Sequence, residues 1–209
     1  MEISKITYPR IRVIADLSSH NREPANWGLV AKNIDGIILR LGYRGYGSGK
    51  LVKDTSYERF RAACLEYSIP YGVYFFPASV SVKEAIEEAD FVAGIVGNDR
   101  LEFPIFADSE KAAPNGDGRS DKLTKKDRTT YLVAFCERLI ELGYRSGIYA
   151  STSWFNTKLV DTELKAYPHW VAQYASQCKY KGKRCGWQYT NTGAVPGMLG
   201  NTDLSIWYC

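Results

Sequence analysis

The sequence predicts an α/β fold in which eight strands close into a barrel with helices on its outside. Runs rich in Val, Ile, Tyr, Phe and Trp, bounded by turn residues, recur eight times; helical patterns fill the first five gaps, and short links join the last three runs. Most runs are apolar throughout, as expected for strands covered on both faces. The eight runs lie at residues 12–18, 36–42, 71–77, 104–110, 146–152, 169–174, 186–191 and 202–208.

The order of elements favours a barrel over its structural alternative, an open doubly wound sheet. A strand followed by a helix occurs five times, and three strands with short connections come after them. Parallel strands need long crossovers, whereas short links permit antiparallel neighbours. We therefore expect the last strands of the barrel to reverse direction.

Each helical pattern carries a start signal, a stop signal or an apolar stripe. A short helix is expected near Trp27, and "SYERFRAACLEY" carries an apolar stripe at helical spacing. "SVKEAIEEADFVAGIV" opens with Ser81 and Glu84 at the spacing of a capping box. "TKKDRTTYLVAFCERLIELG" opens at Thr124 and stops at Gly143, and "SWFNTKLVDTELKAY" is expected to be helical in part.

Length and charge limit the organisation and the partners. The 209 residues suit one domain, residues 1–209, because no linker, repeat or low-complexity tract divides them. The formal charge of +4 is too small, and Lys and Arg too scattered, to indicate nucleic-acid binding. No apolar run reaches the ~20 residues of a membrane span. "MEISKITYPRIRV" lacks the apolar core of a signal peptide, so we expect either release from inside a cell or a trimmed secreted protein.

The five cysteines do not complete a disulfide framework. Cys178 and Cys185 flank "KYKGKR", a plausible hairpin tip, and could be bridged or unbridged. Cys64 and Cys136 fall in helical patterns and are interpreted as core thiols, while Cys209 ends the chain.

The sequence gives little support for a metal site or a phosphate-binding loop. The chain has two histidines and no metal-type Cys or His spacing, so neither a metal nor a cofactor is expected. "GYRGYGSGK" departs from a phosphate-binding loop, because Arg44 replaces its first glycine and Leu51 its Ser or Thr. We interpret it as a flexible loop.

Two acids one residue apart end the fourth apolar run, "PIFADSE". Asp108 and Glu110 share a face if the strand continues through them, with Cβ atoms about 6.5–7 Å apart. Two carboxylates that close and partly shielded from water resist ionising together, so one pKa should rise. One neutral acid beside one anion is the arrangement that glycoside hydrolysis uses. The plain alternative is a strand end with two unrelated surface acids.

Two further acids are expected at the same edge. Asp16 lies late in the first strand, and Asp203 lies early in the last one. In barrels of this kind the chemistry sits at the carboxyl ends of the parallel strands. If the last strand is antiparallel, its start faces that mouth, and four carboxylates converge on one cleft.

Aromatic and amide residues follow the same strand ends and could contact sugar rings, hydroxyls and N-acetyl groups. Filling of the barrel is the alternative explanation for about half of them, although buried Trp and Tyr need polar partners. These residues are Tyr74, Phe76, Tyr149, Trp170, Gln173, Tyr174, Trp187, Gln188 and Tyr189.

The chain resembles the glycoside hydrolase family 25 lysozymes, the Chalaropsis-type N-acetylmuramidases. The matching stretches include "IADLSSHN", "GIILRLGYRG", "IPYGVYFFP", "FPIFADSE", "YPHWVAQY" and "GWQYTNTGAVPGMLGNTDLS", in family order over nearly the entire chain. The resemblance implies an irregular TIM-like (β/α)5(β)3 barrel. It also implies hydrolysis of the β-1,4 bond between N-acetylmuramic acid and N-acetylglucosamine in bacterial peptidoglycan, at the cell wall, by a secreted protein or by a phage lysin released from the host cytoplasm.

Carried over by motif, the resemblance makes Glu110 the general acid and Asp108 its partner, with Asp16 and Asp203 completing the acidic floor. It implies sugar contacts at Tyr74, Tyr149, Trp170, Gln173 and Gln188. Two positions depart from the family pattern: Phe75 stands where His is common, and Ser109 where an aliphatic residue is common.

Asp108 has two possible roles: it steers the substrate's own 2-acetamido group, giving retention, or it activates water, giving inversion. The estimated spacing exceeds the ~5–5.5 Å of enzymes with a direct carboxylate nucleophile, which favours substrate assistance. A sugar-binding barrel without catalysis and a chitinase-like hydrolase are the alternative functions.

Overall fold

Nine strands form one sheet that closes on itself in the computed structural model, which describes residues 11–208. Cys209 and most of the N-terminal segment searched for an export signal lie outside these residues. The strands are β1 (Arg12–Leu17), β2 (Gly36–Arg44), β3 (Leu51–Lys53), β4 (Tyr71–Phe76), β5 (Ile105–Asp108), β6 (Ser146–Ser151), β7 (His169–Ala172), β8 (Gly186–Gly193) and β9 (Thr202–Trp207).

Eight of these strands make the barrel, as predicted. Their order is β1-β9-β8-β7-β6-β5-β4-β2, and pairing of β1 with β2 closes the ring. The short β3 pairs antiparallel with the end of β2 and directly follows the segment 42–50 interpreted as a flexible loop, of which residues 42–44 belong to β2. That strand was missed because three residues are too few to carry a periodic signal.

Among the eight barrel strands, only the last reverses direction. β9 runs antiparallel to both β1 and β8, whereas β7 and β8 are parallel. The expectation that several final strands reverse was therefore wrong for β8. The irregular link between β7 and β8 spans residues 173–185, which is long enough for a parallel crossover without a helix.

Six helices cover the outside of the described barrel: α1 (Trp27–Asn33), α2 (Tyr57–Glu66), α3 (Val82–Val96), α4 (Lys125–Glu141), α5 (Thr152–Lys158) and α6 (Asp161–Leu164). The predicted caps are present, since Ser81 and Thr124 accept hydrogen bonds from the backbone of Glu84 and Asp127. After α4 the chain turns at Gly143, whose φ of 89° suits glycine.

Two apolar layers hold these elements together. The larger one fills the space between the strands and the helices. The smaller one fills the lower interior of the barrel, which is the end where the parallel strands begin. It contains Ile14, Ile38, Phe103, Phe106, Trp170 and Trp207. This interior layer separates that end of the barrel from the end where the parallel strands finish, at which the predicted acids lie.

The cysteines are largely structural. Cys64 and Cys136 are buried in the larger layer, as predicted. Cys178 is a free thiol, so the possible bridge to Cys185 is not formed. The Cys185 sulfur lies 3.2 Å from the carbonyl oxygen of His169, within the buried lower part of the barrel. None of the helices within residues 11–208 is both long and apolar enough to cross a membrane.

Candidate active site

Four carboxylic acids line one groove at the carboxyl end of the barrel. Asp16 is near the end of β1, Asp108 ends β5, Glu110 follows β5, and Asp203 is near the start of β9. Their groove has a volume of about 610 Å³. Asp16 and Asp203 are paired directly across the β1–β9 seam, because the reversed β9 brings its first residues to the same mouth.

Glu110 lies just beyond its strand rather than within it. β5 ends at Asp108, but the backbone N–H of Ser109 still donates to the carbonyl oxygen of Tyr149 at 2.9 Å. Ser109 is buried away from the groove, where it accepts a hydrogen bond from the indole of Trp154 at 3.1 Å. The alternation expected of a strand therefore persists through Ser109 and brings Glu110 back to the groove.

A buried amide links two of the acids. Gln188 Nε2 donates to Asp16 Oδ2 at 2.9 Å and to Asp203 Oδ2 at 3.3 Å. Its Oε1 accepts from the hydroxyls of Tyr149 at 2.7 Å and Tyr174 at 3.0 Å. These contacts use both ends of the amide, so Gln188 holds the acids in place and has little capacity left for a sugar.

Burial and mutual repulsion favour the neutral forms of these acids. Burial, and then the charge of Asp203, raise the pKa of Asp16 to about 8. The pKa of Asp108 is raised well above its usual range by burial and by Glu110. Limited hydration and the charge of Asp203 raise the pKa of Glu110, even though its side chain is open to the groove, and burial raises the pKa of Asp203. The cluster therefore retains protons towards neutral pH.

Asp108 carries an unused acceptor. Its Oδ1 is buried and has no hydrogen-bond partner among the described residues. A buried carboxyl oxygen without a partner is costly for the ionised form, which agrees with the raised pKa of Asp108.

A cationic wall of Arg40, Lys53 and Lys111 lines the same groove as the acids and was missed by the sequence analysis. Arg40 donates from Nε to Asp54 at 2.6 Å and from Nη2 to Ser19 at 2.8 Å, which fixes its guanidinium beside the groove. Lys53 and Lys111 line the same groove. The available signal was Arg40 itself, a charge in the otherwise apolar run "GIILRLG".

Of the five predicted sugar contacts, Tyr74 lines this groove and the others do not. Trp170 is 2% exposed; its indole donates to Ser205 at 2.9 Å and its ring centroid lies 4.5 Å from that of Tyr149. Barrel filling thus accounts for Trp170. Gln173 Oε1 accepts hydrogen bonds from Thr152 and from the backbone of Lys179 at 2.9 and 2.8 Å.

Other aromatic residues line the groove instead. Tyr43 and the half-exposed Tyr46 belong to the segment around β3, which was interpreted as a loop. Phe75, at the position where His is common in the resembling family, packs against Phe91 and Phe135 in the helix-facing layer. It therefore does not face the groove. Within residues 11–208, no group of three or more His, Cys, Asp or Glu side chains is arranged to hold a metal ion.

Comparison with known proteins identifies the family to which this barrel and its acidic groove belong. Residues 15–198 match the model of "Glycosyl hydrolases family 25". The autolytic lysozyme of Clostridium acetobutylicum is 24% identical over 158 residues, which are 75% of this chain and 45% of that protein. This chain therefore spans about half the length of that relative.

Solved structures agree on the fold. The modular autolysin LytC of Streptococcus pneumoniae, solved with a synthetic peptidoglycan ligand, superposes with a TM-score of 0.84 at 25% identity, over 97% of this chain and 48% of that one. The spore cortex lytic enzyme SleM of Clostridium perfringens gives a TM-score of 0.82 at 24% identity, over 98% of this chain and 69% of that one. The match over nearly the whole barrel, with four acids at its mouth, establishes that the chain belongs to family 25 of the glycosyl hydrolases.

Proposed function

We propose that this chain is a muramidase, which hydrolyses the β-1,4 bond between N-acetylmuramic acid and N-acetylglucosamine in bacterial peptidoglycan. The observation that carries the proposal is the gathering of Asp16, Asp108, Glu110 and Asp203 on one groove. Family membership and the peptidoglycan ligand of the LytC structure support the choice of substrate.

Glu110 acts as the general acid. Its raised pKa keeps a proton on a side chain that is open to the groove. It transfers that proton to the glycosidic oxygen as the bond from C1 to that oxygen breaks. The muramic acid ring gains oxocarbenium character, and the ionised acids nearby stabilise that charge.

Asp108 assists through the substrate's 2-acetamido group. Asp108 lines the groove and, in its ionised form, accepts the acetamido N–H; its raised pKa means that this carboxylate binds that proton strongly. The acetamido oxygen then attacks C1 as the leaving group departs. Water later attacks C1 and opens this intermediate: the Glu110 carboxylate takes a proton from the water, and Asp108 returns the other proton to the acetamido nitrogen. The net result is retention at C1.

The cationic wall favours an anionic glycan over chitin. Arg40, Lys53 and Lys111 line the groove together with the acids. Muramic acid carries a lactyl carboxylate that N-acetylglucosamine lacks, and a cation near its binding position would favour the anionic sugar. A chitinase-like hydrolase would draw no benefit from such a wall.

The test is release of reducing sugar from purified bacterial cell walls. We expect activity from the wild type and a loss of about a hundredfold or more in Glu110→Gln, with Glu66→Gln on the exposed face of α2 as the matched control. Equal release by wild type and Glu110→Gln would indicate a binding barrel, and faster cleavage of chitin oligomers would indicate the chitinase-like function.

The stereochemical course is tested separately by NMR of the first-formed anomer. Retention predicts that the new reducing end is initially β. An initial α product would contradict substrate assistance and would assign Asp108 as the base that activates water.

A further inference from the structure

Behind Glu110 lies a small cavity that the proposed mechanism does not use. Its volume is about 20 Å³, and Glu110 borders both this cavity and the groove. A cavity of this size holds one water molecule if two to four polar groups surround it. The residues with polar side chains that border it are Ser79, Ser109, Glu110, Ser120, Arg128 and Tyr131.

Arg128 is an unusual component of that cavity. Its side chain is 6% exposed and makes no salt bridge within residues 11–208. Nη2 donates to the carbonyl oxygen of Ser120 at 2.8 Å and more weakly to that of Asp121 at 3.4 Å. The buried Nε has no partner among the described residues. A buried guanidinium with an unpaired N–H is costly, so an acceptor is expected beside it.

The surroundings hold this guanidinium in position. Its central carbon lies 5.1 Å from the centroid of the Trp154 ring. The Trp154 indole donates to Ser109, the residue between Asp108 and Glu110. Arg128, Trp154 and Ser109 therefore form a continuous contact path from α4 to the backbone that carries the general acid.

We propose that one water molecule occupies this cavity, accepts a hydrogen bond from Arg128 Nε and donates one to the Glu110 carboxyl group. Arg128 is then a positioning residue for the general acid, and this role rests on the proposed function. A hydrogen bond donated to the inner carboxyl oxygen stabilises the anion there. It leaves the proton of neutral Glu110 on the outer oxygen, which faces the glycosidic bond.

The pH dependence must be interpreted against every charged or titratable group around Glu110. The acids oppose ionisation of Glu110, and the cations favour it. From the strands and loops around it, these groups are Asp16, Arg40, Asp108, Lys111, Tyr149, Tyr174 and Asp203, and α4 adds Arg128, which has Asp121 nearby. Only a change at Arg128 that leaves all the others in place isolates its contribution.

The kinetic test compares Arg128→Met, Arg128→Lys and the control Arg138→Met on cell walls across pH. Arg138 lies on the exposed side of the same helix and pairs with Asp90. We expect Arg128→Met to lower kcat about tenfold with little change in KM, and to move the alkaline limb of kcat/KM up by about half a pH unit or more. Arg128→Lys, which keeps a donor and the charge, should restore most of both, and Arg138→Met should change neither.

Two results would overturn the proposal. One is an unshifted alkaline limb in folded Arg128→Met. The other, which needs no variant, is a high-resolution crystal structure of the wild type in which the cavity is empty or Arg128 contacts Glu110 directly. A water within about 3.2 Å of both Arg128 Nε and a Glu110 oxygen would support the proposal. If wild type and Glu110→Gln release equal amounts of reducing sugar from cell walls, the proposed function fails. The crystallographic test of the water does not depend on that result.

Discussion

The two ends of the barrel interior are built on the same strands and have opposite chemistry. At the lower end, Ile14 and Phe106 belong to the dry apolar layer. Two residues further along β1 and β5, on the same face, stand Asp16 and Asp108. On β2, Ile38 and Arg40 are related in the same way.

This comparison shows how the acids acquire their raised pKa values. The apolar layer excludes water from below, and the neighbouring strands bring the carboxyl groups together from the sides. The charged end therefore depends on the apolar end for its protonation state, while the apolar end gains nothing from the acids. Four substitutions test how the acidic end depends on the apolar end.

The largest expected effect is on the apolar end. Phe106 contacts Trp170 and Trp207 with ring centroids 5.5 and 5.7 Å apart. We expect Phe106→Ala to lower the free energy of unfolding by about 3–5 kcal/mol, because it leaves a cavity among large rings. Urea denaturation measures this, with Ile86→Ala at an exposed helix position as the control. Equal losses in the two variants would contradict the assigned structural role of the layer.

At the charged end, Asp108→Asn should remove activity without removing stability. The amide cannot take the acetamido proton, so we expect kcat on cell walls to fall about a hundredfold, or ~2.7 kcal/mol in the activation barrier. The unfolding midpoint should stay at or above that of the wild type, since a buried repulsion is lost. A variant that keeps most of its kcat would exclude Asp108 from the mechanism.

Asp16→Asn tests the cost of the raised pKa. In the folded chain the pKa of Asp16 is about 8, against 3.8 when unperturbed, so between these values the folded state binds more protons than the unfolded state. Stability must then fall as pH rises from about 4 to 8. We expect Asp16→Asn to match the wild type near pH 4 and to exceed its stability increasingly as pH rises, by up to several kcal/mol at pH 8.

Urea unfolding across pH measures the Asp16 effect, and Asp117→Asn in an exposed loop is the control. A constant difference between Asp16→Asn and the wild type at all pH values would show that burial of Asp16 does not shift its ionisation.

The smallest effect is expected at Tyr149→Phe. This change removes the hydroxyl that donates to Gln188 Oε1, while the hydroxyl of Tyr174 still does so. We expect activity to fall about threefold to tenfold, in line with the loss of one buried hydrogen bond. If Tyr149 instead contacts the sugar directly, KM should rise more than kcat falls.

The order of the strands and the convergence of the four acids were predictable from the sequence. The apolar runs and the helix caps are visible as local patterns in the sequence. The common location of Asp16, Asp108 and Asp203 follows from one rule, that the functional residues of such barrels lie where the parallel strands end. The parallel pairing of β8 was not predictable, because a link without a helix gives no directional signal.

The polar groups around the acids were harder to predict. Trp170 and Gln188 have the side chains of sugar contacts, yet one fills the barrel and the other binds two acids. Only the register of neighbouring strands decides between these roles. The sequence likewise contains no sign that Asp54 and Ser19 hold Arg40 at the groove, because the three come from separate segments.

The pairing of Asp16 with Asp203 across the β1–β9 seam has a consequence for assembly. This seam brings two acidic side chains together on directly paired residues. Pairing of β9 with β1 during folding should therefore be coupled to uptake of protons by these acids, because their pKa values are raised in the folded chain. Refolding should slow as the pH rises. A lower pH would thus speed completion of the barrel and also favour the protonated form of the general acid.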